Sequence, residues 1–244
     1  MSAMKICDVH THVLPGVDDG APTEEYALQM LRNAAASDVK MLAVTPHCNR
    51  PDQKRRNYMD NSLRERFLQL QQAAKDVPVQ LVLGAEVLAD ESLPCLLQEK
   101  KLPTINGGRY LLTEFPFDAS PEFFIDILQC IRALGYIPLV AHPERYASVC
   151  RMPQIVVPWL EMGCHLQMTG GSITGEYGKT VQRTATFLLQ RDLVACIASD
   201  AHGLRHRSNF LLDVYDHLSL RYSKHYAQCL LYENPMGICC DSDI

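Results

Sequence analysis

The 244-residue sequence lacks several features that define other classes of protein. It has 10 cysteines but no Cys-x-x-Cys pair, so a thiolate zinc site is not expected. Its 23 Lys and Arg against 28 Asp and Glu leave a net charge of −5, which argues against a nucleic-acid partner. No apolar run approaches the ~18 residues of a membrane span, and the N-terminus MSAMKICDVH carries no secretory signal. These absences predict a cytoplasmic protein with reduced thiols and no membrane insertion.

Short apolar runs alternate with amphipathic segments, a pattern typical of a parallel sheet with helices packed outside it. Helices are predicted after the N-cap Thr23 and at 58–75, 121–134, 153–162, 180–190 and 210–219, with an irregular segment at 90–108. No linker or repeat divides the chain, so a single domain is expected over 1–244, with a core at 5–220 and a tail at 221–244. The region that contains His217 and His225 is expected to be helical, and the end that contains Cys239 and Cys240 is expected to be polar. The predicted strands, which fit either a doubly wound sheet or a closed barrel, are 5–10, 40–46, 79–86, 109–115, 136–142, 164–169 and 194–200.

Six of these seven predicted strands end in a histidine or a carboxylate. In a barrel the carboxyl ends of parallel strands form one rim, where active sites lie. A single histidine or glutamate at a strand end is more often structural, so the recurrence at six ends carries the argument. Imidazole and carboxylate donors without thiolates suit Mn²⁺, Fe²⁺ or Zn²⁺, and so many donors indicate two or three ions. The residues are His10, His12, His47, Glu86, Glu114, His142, Asp200 and His202.

The motifs that contain these residues resemble those of a known family. "DVHTHVLPGVDDG", "VTPH", "GAE", "LTE", "AHPER" and "IASDAH" follow one another in the order of the polymerase-and-histidinol-phosphatase (PHP) family. The longer matches "HVLPGVDDGAPTEEYALQML" and "AHPERY" are similar to its bacterial protein-tyrosine phosphatase branch, the CpsB/YwqE type. The resemblance extends from Lys5 to Arg207 and implies an α/β fold, a distorted seven-stranded TIM-like (β/α)7 barrel.

The resemblance also implies a site with three metal ions, usually Mn²⁺, with Fe²⁺ or Zn²⁺ as alternatives. Arg145 and Arg207 would contact a phosphate group. Asp18 is expected beside the ligands or as a cap, and Asp8 is expected to orient a ligand histidine. Carried over by position, the first ion would be held by His10, His12, Glu86 and Asp200, the second by Glu86, Glu114 and His142, and the third by Asp19, His47 and His202.

The activity implied by this family is hydrolysis of phosphotyrosine in protein by a metal-bridging hydroxide. The implied protein partner is a bacterial tyrosine kinase of capsule or exopolysaccharide synthesis. Three positions depart from what relatives commonly carry, namely Cys48, Thr169 and Gly203. None of them is an expected metal ligand, so activity is expected to be retained while substrate preference stays open.

The sequence also bears on alternative functions. A small-molecule phosphatase acting on histidinol phosphate or a nucleotide would present the same metal ligands. An amidohydrolase also opens with His-x-His but usually places a carboxylated lysine after strand four, where this chain has Glu114. A cysteine-dependent tyrosine phosphatase needs an arginine six residues after its cysteine, and no cysteine here has one. A regulatory or scaffolding barrel would be expected to have lost ligands, and none is lost.

Overall fold

The computed structural model describes residues 4–52 and 56–244. Each of the seven predicted strands is present, and two of them are interrupted after four to six residues. The strands are β1 (Ile6–Thr11), β2 (Val39–Val44), β3 (His47–Cys48), β4 (Gln80–Leu83), β5 (Glu86–Leu88), β6 (Tyr110–Glu114), β7 (Ile137–Ala141), β8 (His165–Thr169) and β9 (Cys196–Ala198).

All strand pairs are parallel, and they form two sheets. One sheet has the order β1-β2-β4 and the other β3-β5-β6-β7-β8-β9. The chain passes from the three-stranded to the six-stranded sheet between β2 and β3, returns between β3 and β4, and passes over again between β4 and β5. The far edges meet at an isolated parallel bridge between Thr11 and Ala201, where His12 N donates to Ala201 O at 2.9 Å. The predicted parallel α/β architecture is therefore confirmed, while the described strands are hydrogen-bonded as sheets of three and six rather than as one closed barrel.

Several helices begin at a residue whose side chain caps the first turn. Thr23 accepts a hydrogen bond from Tyr26 N at the start of the first helix, and Asp60 and Ser120 cap the second and fourth in the same way. The helices are α1 (Glu24–Ala36), α2 (Asn61–Ala73), α3 (Leu93–Gln98), α4 (Pro121–Ala133), α5 (Ala147–Arg151), α6 (Val157–Glu161), α7 (Gly170–Thr174), α8 (Lys179–Gln190), α9 (Leu212–Arg221), α10 (Lys224–Gln228) and α11 (Asn234–Cys239), with a π-helix at Cys229–Glu233.

One predicted helix is not continuous. Residues 153–162 form a short 3-10 helix, Pro153–Val156, followed by α6. Pro158 has no N–H to donate to the preceding turn, so an unbroken α-helix across this segment is disfavoured. The irregular segment predicted at 90–108 contains only α3 and a 3-10 turn at Ile105–Gly107.

Apolar side chains pack on both faces of the sheets. The outer layer lies between strands and helices, where Trp159 stacks on Phe124 with ring centroids 4.7 Å apart. The inner layer contains Val9, Leu112 and Leu139, which project toward one another from β1, β6 and β7. Because both faces of the strands are buried, their sequences are apolar runs and do not alternate between apolar and polar residues.

The helix expected around His225 is present, but the segment that contains Cys239 is not the polar tail that the sequence suggested. Residues 224–239 are helical, and Ile238 and Cys239 are buried in the inner layer. Cys239 Sγ lies 3.8 Å from Cys7 Sγ, and Asn234 Nδ2 donates to Ala195 O at 2.8 Å. This segment therefore closes the amino-terminal ends of β1 and β9, at the end opposite to the clustered histidines. Within the described ranges, no helix is long and apolar enough to cross a lipid bilayer.

Candidate metal centre

The carboxyl ends of β1 and β9, together with the first residue of β5, bring four predicted metal ligands together in the interior. His10, His12, Glu86 and Asp200 are at most 1% exposed. His10 Nε2 lies 3.2 Å from His12 Nε2 and 3.3 Å from Glu86 Oε1. Asp200 Oδ1 is 3.5 Å from His10 Nε2 and 3.6 Å from His12 Nε2. The predicted same-side placement of the two histidines is thus present, and residues far apart in sequence complete the set.

A second group of side chains continues from Glu86. His142 Nε2 lies 2.8 Å from Glu86 Oε1 and 3.9 Å from Glu114 Oε1. His47 Nδ1 approaches the other oxygen, Glu86 Oε2, at 2.8 Å, and Glu114 Oε2 at 3.8 Å. Glu86 is therefore shared between two clusters, which is the arrangement of a bridging carboxylate.

The third group lies nearer to solvent. Asp19 Oδ1 is 3.4 Å from His47 Nε2 and 3.5 Å from His202 Nε2, and the Asp19 side chain is 60% exposed. The ring of His12 stacks on that of His202 with centroids 3.7 Å apart, so this group also adjoins the first. All nine residues predicted as ligands therefore lie in one connected cluster.

The donor atoms fit divalent cations. Four donors placed tetrahedrally about 2.1 Å from one ion stand roughly 3.4 Å apart, close to the 3.2–3.6 Å separations of the first group. Glu86 Oε2 and His202 Nε2 are buried without a hydrogen-bond partner among the described residues. Buried polar atoms normally have a partner, so these atoms are suited to an ion. The cluster holds only nitrogen and oxygen donors, which disfavours a structural thiolate site.

Hydrogen bonds behind the rings leave the facing nitrogens free to bind a cation. His12 Nδ1 lies 2.8 Å from Asp18 Oδ2, and Asp18 also accepts from His47 N at 3.0 Å. His202 Nδ1 lies 3.0 Å from the Asp200 carbonyl oxygen. With Nδ1–H donating, Nε2 keeps its lone pair toward the cluster, as metal-binding histidines require. The placement predicted for Asp18 beside a ligand is therefore present.

The ring of His10 is oriented by a residue that sequence reasoning missed. Gln167 Oε1 lies 2.8 Å from His10 Nδ1, and Gln167 is fully buried on β8. The proposed role of Asp8 is corrected, since its carboxylate accepts from the backbone of His10 and Ser199 rather than from a ring. A glutamine in the otherwise apolar run of β8 was the only sequence signal, because strand registry cannot be read from local sequence.

The local charges and burial favour metal-binding forms at two of the histidines. Burial lowers the pKa of His142 to about 4, with the charge of Arg145 acting in the same direction. Burial and the neighbouring His12 likewise lower the pKa of His202 to about 4. Although burial alone would lower the pKa of His12, Asp18 and Glu86 raise it to about 10, so a cation bound there would displace a proton.

Both predicted arginines reach the same carboxylate. Arg145 Nη1 donates to Asp200 Oδ2 at 2.8 Å, and Arg207 Nη2 donates to Asp200 Oδ1 at 2.7 Å. Arg145 lies between two aromatic rings, 5.1 Å from the centroid of Phe117 and 4.7 Å from that of Tyr177. A third arginine, Arg50, was missed; its Nη1 lies 3.3 Å from Glu114 Oε2. The cluster is thus flanked by positively charged arginine side chains as well as lined by carboxylates.

Three site residues have a strained backbone. His142, Asp200 and Arg207 have φ angles of 34°, 51° and 48°, in the left-handed region that non-glycine residues seldom adopt. Such conformations cost about 1–3 kcal/mol each and persist where the surrounding structure holds them. Gly20 shows a related constraint, since a Cβ there would lie 2.0 Å from His12 O. The loop after β1 therefore packs against the backbone of a proposed ligand.

These features define a class: parallel α/β proteins with a buried imidazole–carboxylate metal centre at the carboxyl ends of their strands. A family model described as "Capsular polysaccharide synthesis, CpsB/CapC" matches residues 6–239, and the chain belongs to this family. The match includes every predicted site residue and also the C-terminal helices.

Relatives in this family are tyrosine-protein phosphatases. The chain is 31% identical to tyrosine-protein phosphatase YwqE of Bacillus subtilis, over 82% of this chain and 79% of that protein. It is 31% identical to tyrosine-protein phosphatase CpsB of Streptococcus pneumoniae, over 96% of this chain and 98% of that protein. Both relatives carry the activity that the sequence motifs implied.

Solved structures agree with the sequence comparison. A crystal structure from work on YwqE and CpsB, described as unique metal-dependent tyrosine phosphatases, superposes with a TM-score of 0.90 at 28% identity. It covers 98% of this chain and 96% of that chain. A phosphotriesterase homology protein from Escherichia coli has a TM-score of 0.62 at 13% identity, over 96% and 98% of the two chains, which shows a shared fold alone.

Proposed function

We propose that this chain is a metal-dependent protein-tyrosine phosphatase. The observation that carries the proposal is the cluster of five histidines and four carboxylates, buried except at Asp19 and flanked by Arg145 and Arg207. The tyrosine phosphatases that share its family and length support the same activity. Its protein substrate would be a phosphotyrosine protein, with a bacterial tyrosine kinase of capsule or exopolysaccharide synthesis as the favoured partner.

The metal complement is proposed as three Mn²⁺ ions, with Fe²⁺ or Zn²⁺ as alternatives. His10, His12, Glu86 and Asp200 would hold the first ion. Nitrogen and oxygen donors without thiolates support this choice of metals. The second ion would be held by Glu86, Glu114 and His142, and the third by Asp19, His47 and His202.

Bound divalent cations lower the pKa of water and stabilise charge on phosphoryl oxygens. Arg145 and Arg207 would bind the equatorial phosphoryl oxygens, since guanidinium groups match phosphate geometry with paired donors. Both now bond Asp200 at the margin of the cluster, within reach of a phosphate bound there. Glu86, whose two oxygens face different histidines, would contribute donors to two cations. A tyrosyl leaving group has a pKa of about 10, so it needs little help from a general acid.

The architecture and location that accompany this function are proposed as well. The three- and six-stranded sheets would act as one distorted seven-stranded barrel, joined by the Thr11–Ala201 bridge and by the chain at Pro46 and Gly84. The chain would work as a single catalytic domain. Ten free cysteines support a reducing, cytoplasmic location.

The test is a rate comparison on metal-stripped protein with and without Mn²⁺. A phosphotyrosine peptide and histidinol phosphate are assayed side by side, with Glu86→Gln as the matched variant that keeps the side-chain shape. We expect Mn²⁺-dependent hydrolysis that favours the peptide and is lost in Glu86→Gln. A preference for histidinol phosphate would move the function to small-molecule metabolism. Absence of turnover on both substrates would contradict a phosphatase of either kind.

A further inference from the structure

A second group of metal-binding side chains lies on the C-terminal helices, far from the strand ends that carry the histidine cluster. Cys229 Sγ is 3.7 Å from His225 Nε2 and 3.3 Å from Glu233 Oε2. The three donor atoms lie within 4.8 Å of one another. His225 and Glu233 are exposed and Cys229 is half-buried, so the group is accessible to an ion from solvent.

The helix geometry explains how residues at positions i, i+4 and i+8 come together. In an α-helix each residue rotates by about 100° around the axis, so residues i and i+8 point in directions that differ by about 80°. Here the step from i+4 to i+8 runs through the π-helix Cys229–Glu233. A π-helix has more residues per turn than an α-helix, so four of its residues rotate through less than a full turn. This deficit partly cancels the excess rotation between His225 and Cys229. The π-helix thereby returns Glu233 to the face that carries His225 and Cys229.

The donor set differs in kind from that of the strand-end cluster. One thiolate, one imidazole and one carboxylate suit Zn²⁺, with a fourth position left for water. We propose that His225, Cys229 and Glu233 form a separate surface site for a borderline divalent cation such as Zn²⁺. The proposal is independent of the phosphatase activity, because none of the three residues is near the strand-end cluster.

Binding has a proton balance that can be measured. Burial, together with Glu233, raises the pKa of the Cys229 thiol, so the thiol is protonated at neutral pH. When the S–Zn bond forms, the S–H bond breaks and one proton passes to the buffer. The helices concerned cover the amino-terminal ends of β1 and β9, so the bound ion would also stabilise that contact against unfolding.

The direct test uses Co²⁺, whose bond to a thiolate gives a near-ultraviolet charge-transfer band. The proposed ligands of the strand-end cluster include no sulfur, so this band reports on a cysteine site alone. Untagged protein is titrated with Co²⁺, and we expect the band in the wild type and its loss in Cys229→Ser. Cys95→Ser is the matched control. Cys95 is exposed and lies 3.6 Å from Glu99 Oε1, four residues away, but no histidine precedes it by four residues.

Competition by Zn²⁺ for bound Co²⁺ measures the contributions of the other two residues. His225→Ala and Glu233→Gln should each weaken Zn²⁺ binding by about 10-fold or more, because even partners outside the ligand shell contribute 10–100-fold. Phosphatase activity with Mn²⁺ should be unchanged in Cys229→Ser, so failure of this site and failure of the proposed function are separable. A wild type without the band, or a band of equal strength in Cys229→Ser, overturns the proposal.

Discussion

Replacing Gln167 by leucine tests whether the orientation of His10 controls metal binding. Gln167 is fully buried, and its Oε1 lies 2.8 Å from His10 Nδ1. Leucine has a similar volume but cannot accept a hydrogen bond. Without the acceptor, the His10 ring can rotate or place its proton on Nε2, the atom that faces His12 and Glu86. In that tautomer the ring cannot bind a cation at the cluster.

The expected size of the effect follows from the role of a hydrogen-bond partner behind a metal ligand. Loss of such partners typically weakens metal binding by about 10–100-fold, or roughly 1.4–2.7 kcal/mol. Gln167→Glu should behave in the opposite way, because a carboxylate accepts from Nδ1–H more strongly than an amide does. A residue that only fills space would show the reverse order, with leucine tolerated and the buried charge of glutamate harmful.

The assay is calorimetric titration of metal-stripped protein with Mn²⁺, comparing wild type, Gln167→Leu and Gln167→Glu. Gln190→Leu is the control, because Gln190 is exposed at the end of α8 and the same replacement there touches no histidine. The reasoning is refuted if Gln167→Leu binds Mn²⁺ as tightly as the wild type, or if Gln167→Glu binds it less tightly than Gln167→Leu.

Three further perturbations address other parts of the site. Glu86→Ala should abolish turnover and lower the metal content, because both Glu86 oxygens face histidine nitrogens; unchanged metal stoichiometry by elemental analysis would contradict the bridging role. Arg145→Ala should leave the metal content intact but weaken hydrolysis of a phosphotyrosine peptide. The control Arg151→Ala, which changes an exposed arginine, should leave hydrolysis unchanged. Wild-type kinetics in Arg145→Ala would show that Arg145 does not bind the phosphate. Gly20→Ala should lower the free energy of unfolding by about 1–3 kcal/mol and weaken Mn²⁺ binding, because the new Cβ would clash with His12 O. An unchanged melting temperature would show that the loop can move to accommodate the Cβ.

Much of the site could be predicted because its ligands follow local rules. Buried parallel strands read as apolar runs, and each run ends at the residue where a barrel places its chemistry. His10, His12, Glu86 and Asp200 were found in this way, and the structure places each of the two histidines within 3.6 Å of both carboxylates. The motif resemblance supplied what spacing alone could not, namely the grouping of donors and the inclusion of Asp19.

Other contacts depend on which strands lie side by side. Gln167 meets His10 across 157 positions of sequence, and Arg50 reaches Glu114 across 64. Local sequence does not encode such registry, so the partners behind and beside the ligands were missed or misassigned, as with Asp8. The burial of the last helix, α11, was missed for a related reason, since Cys239 meets Cys7 across 232 positions of sequence.

The sequence by itself determined the order of strands and helices, the donor types and the strand ends that carry them, because these follow from backbone periodicity and side-chain chemistry. Only the tertiary structure decided which nitrogen of each histidine faces the cluster, because that depends on the hydrogen bond made by the opposite nitrogen. It also decided that Cys239 is buried against Cys7 rather than exposed in a tail. Both outcomes are set by long-range packing, which brings distant residues together only when the sheets assemble.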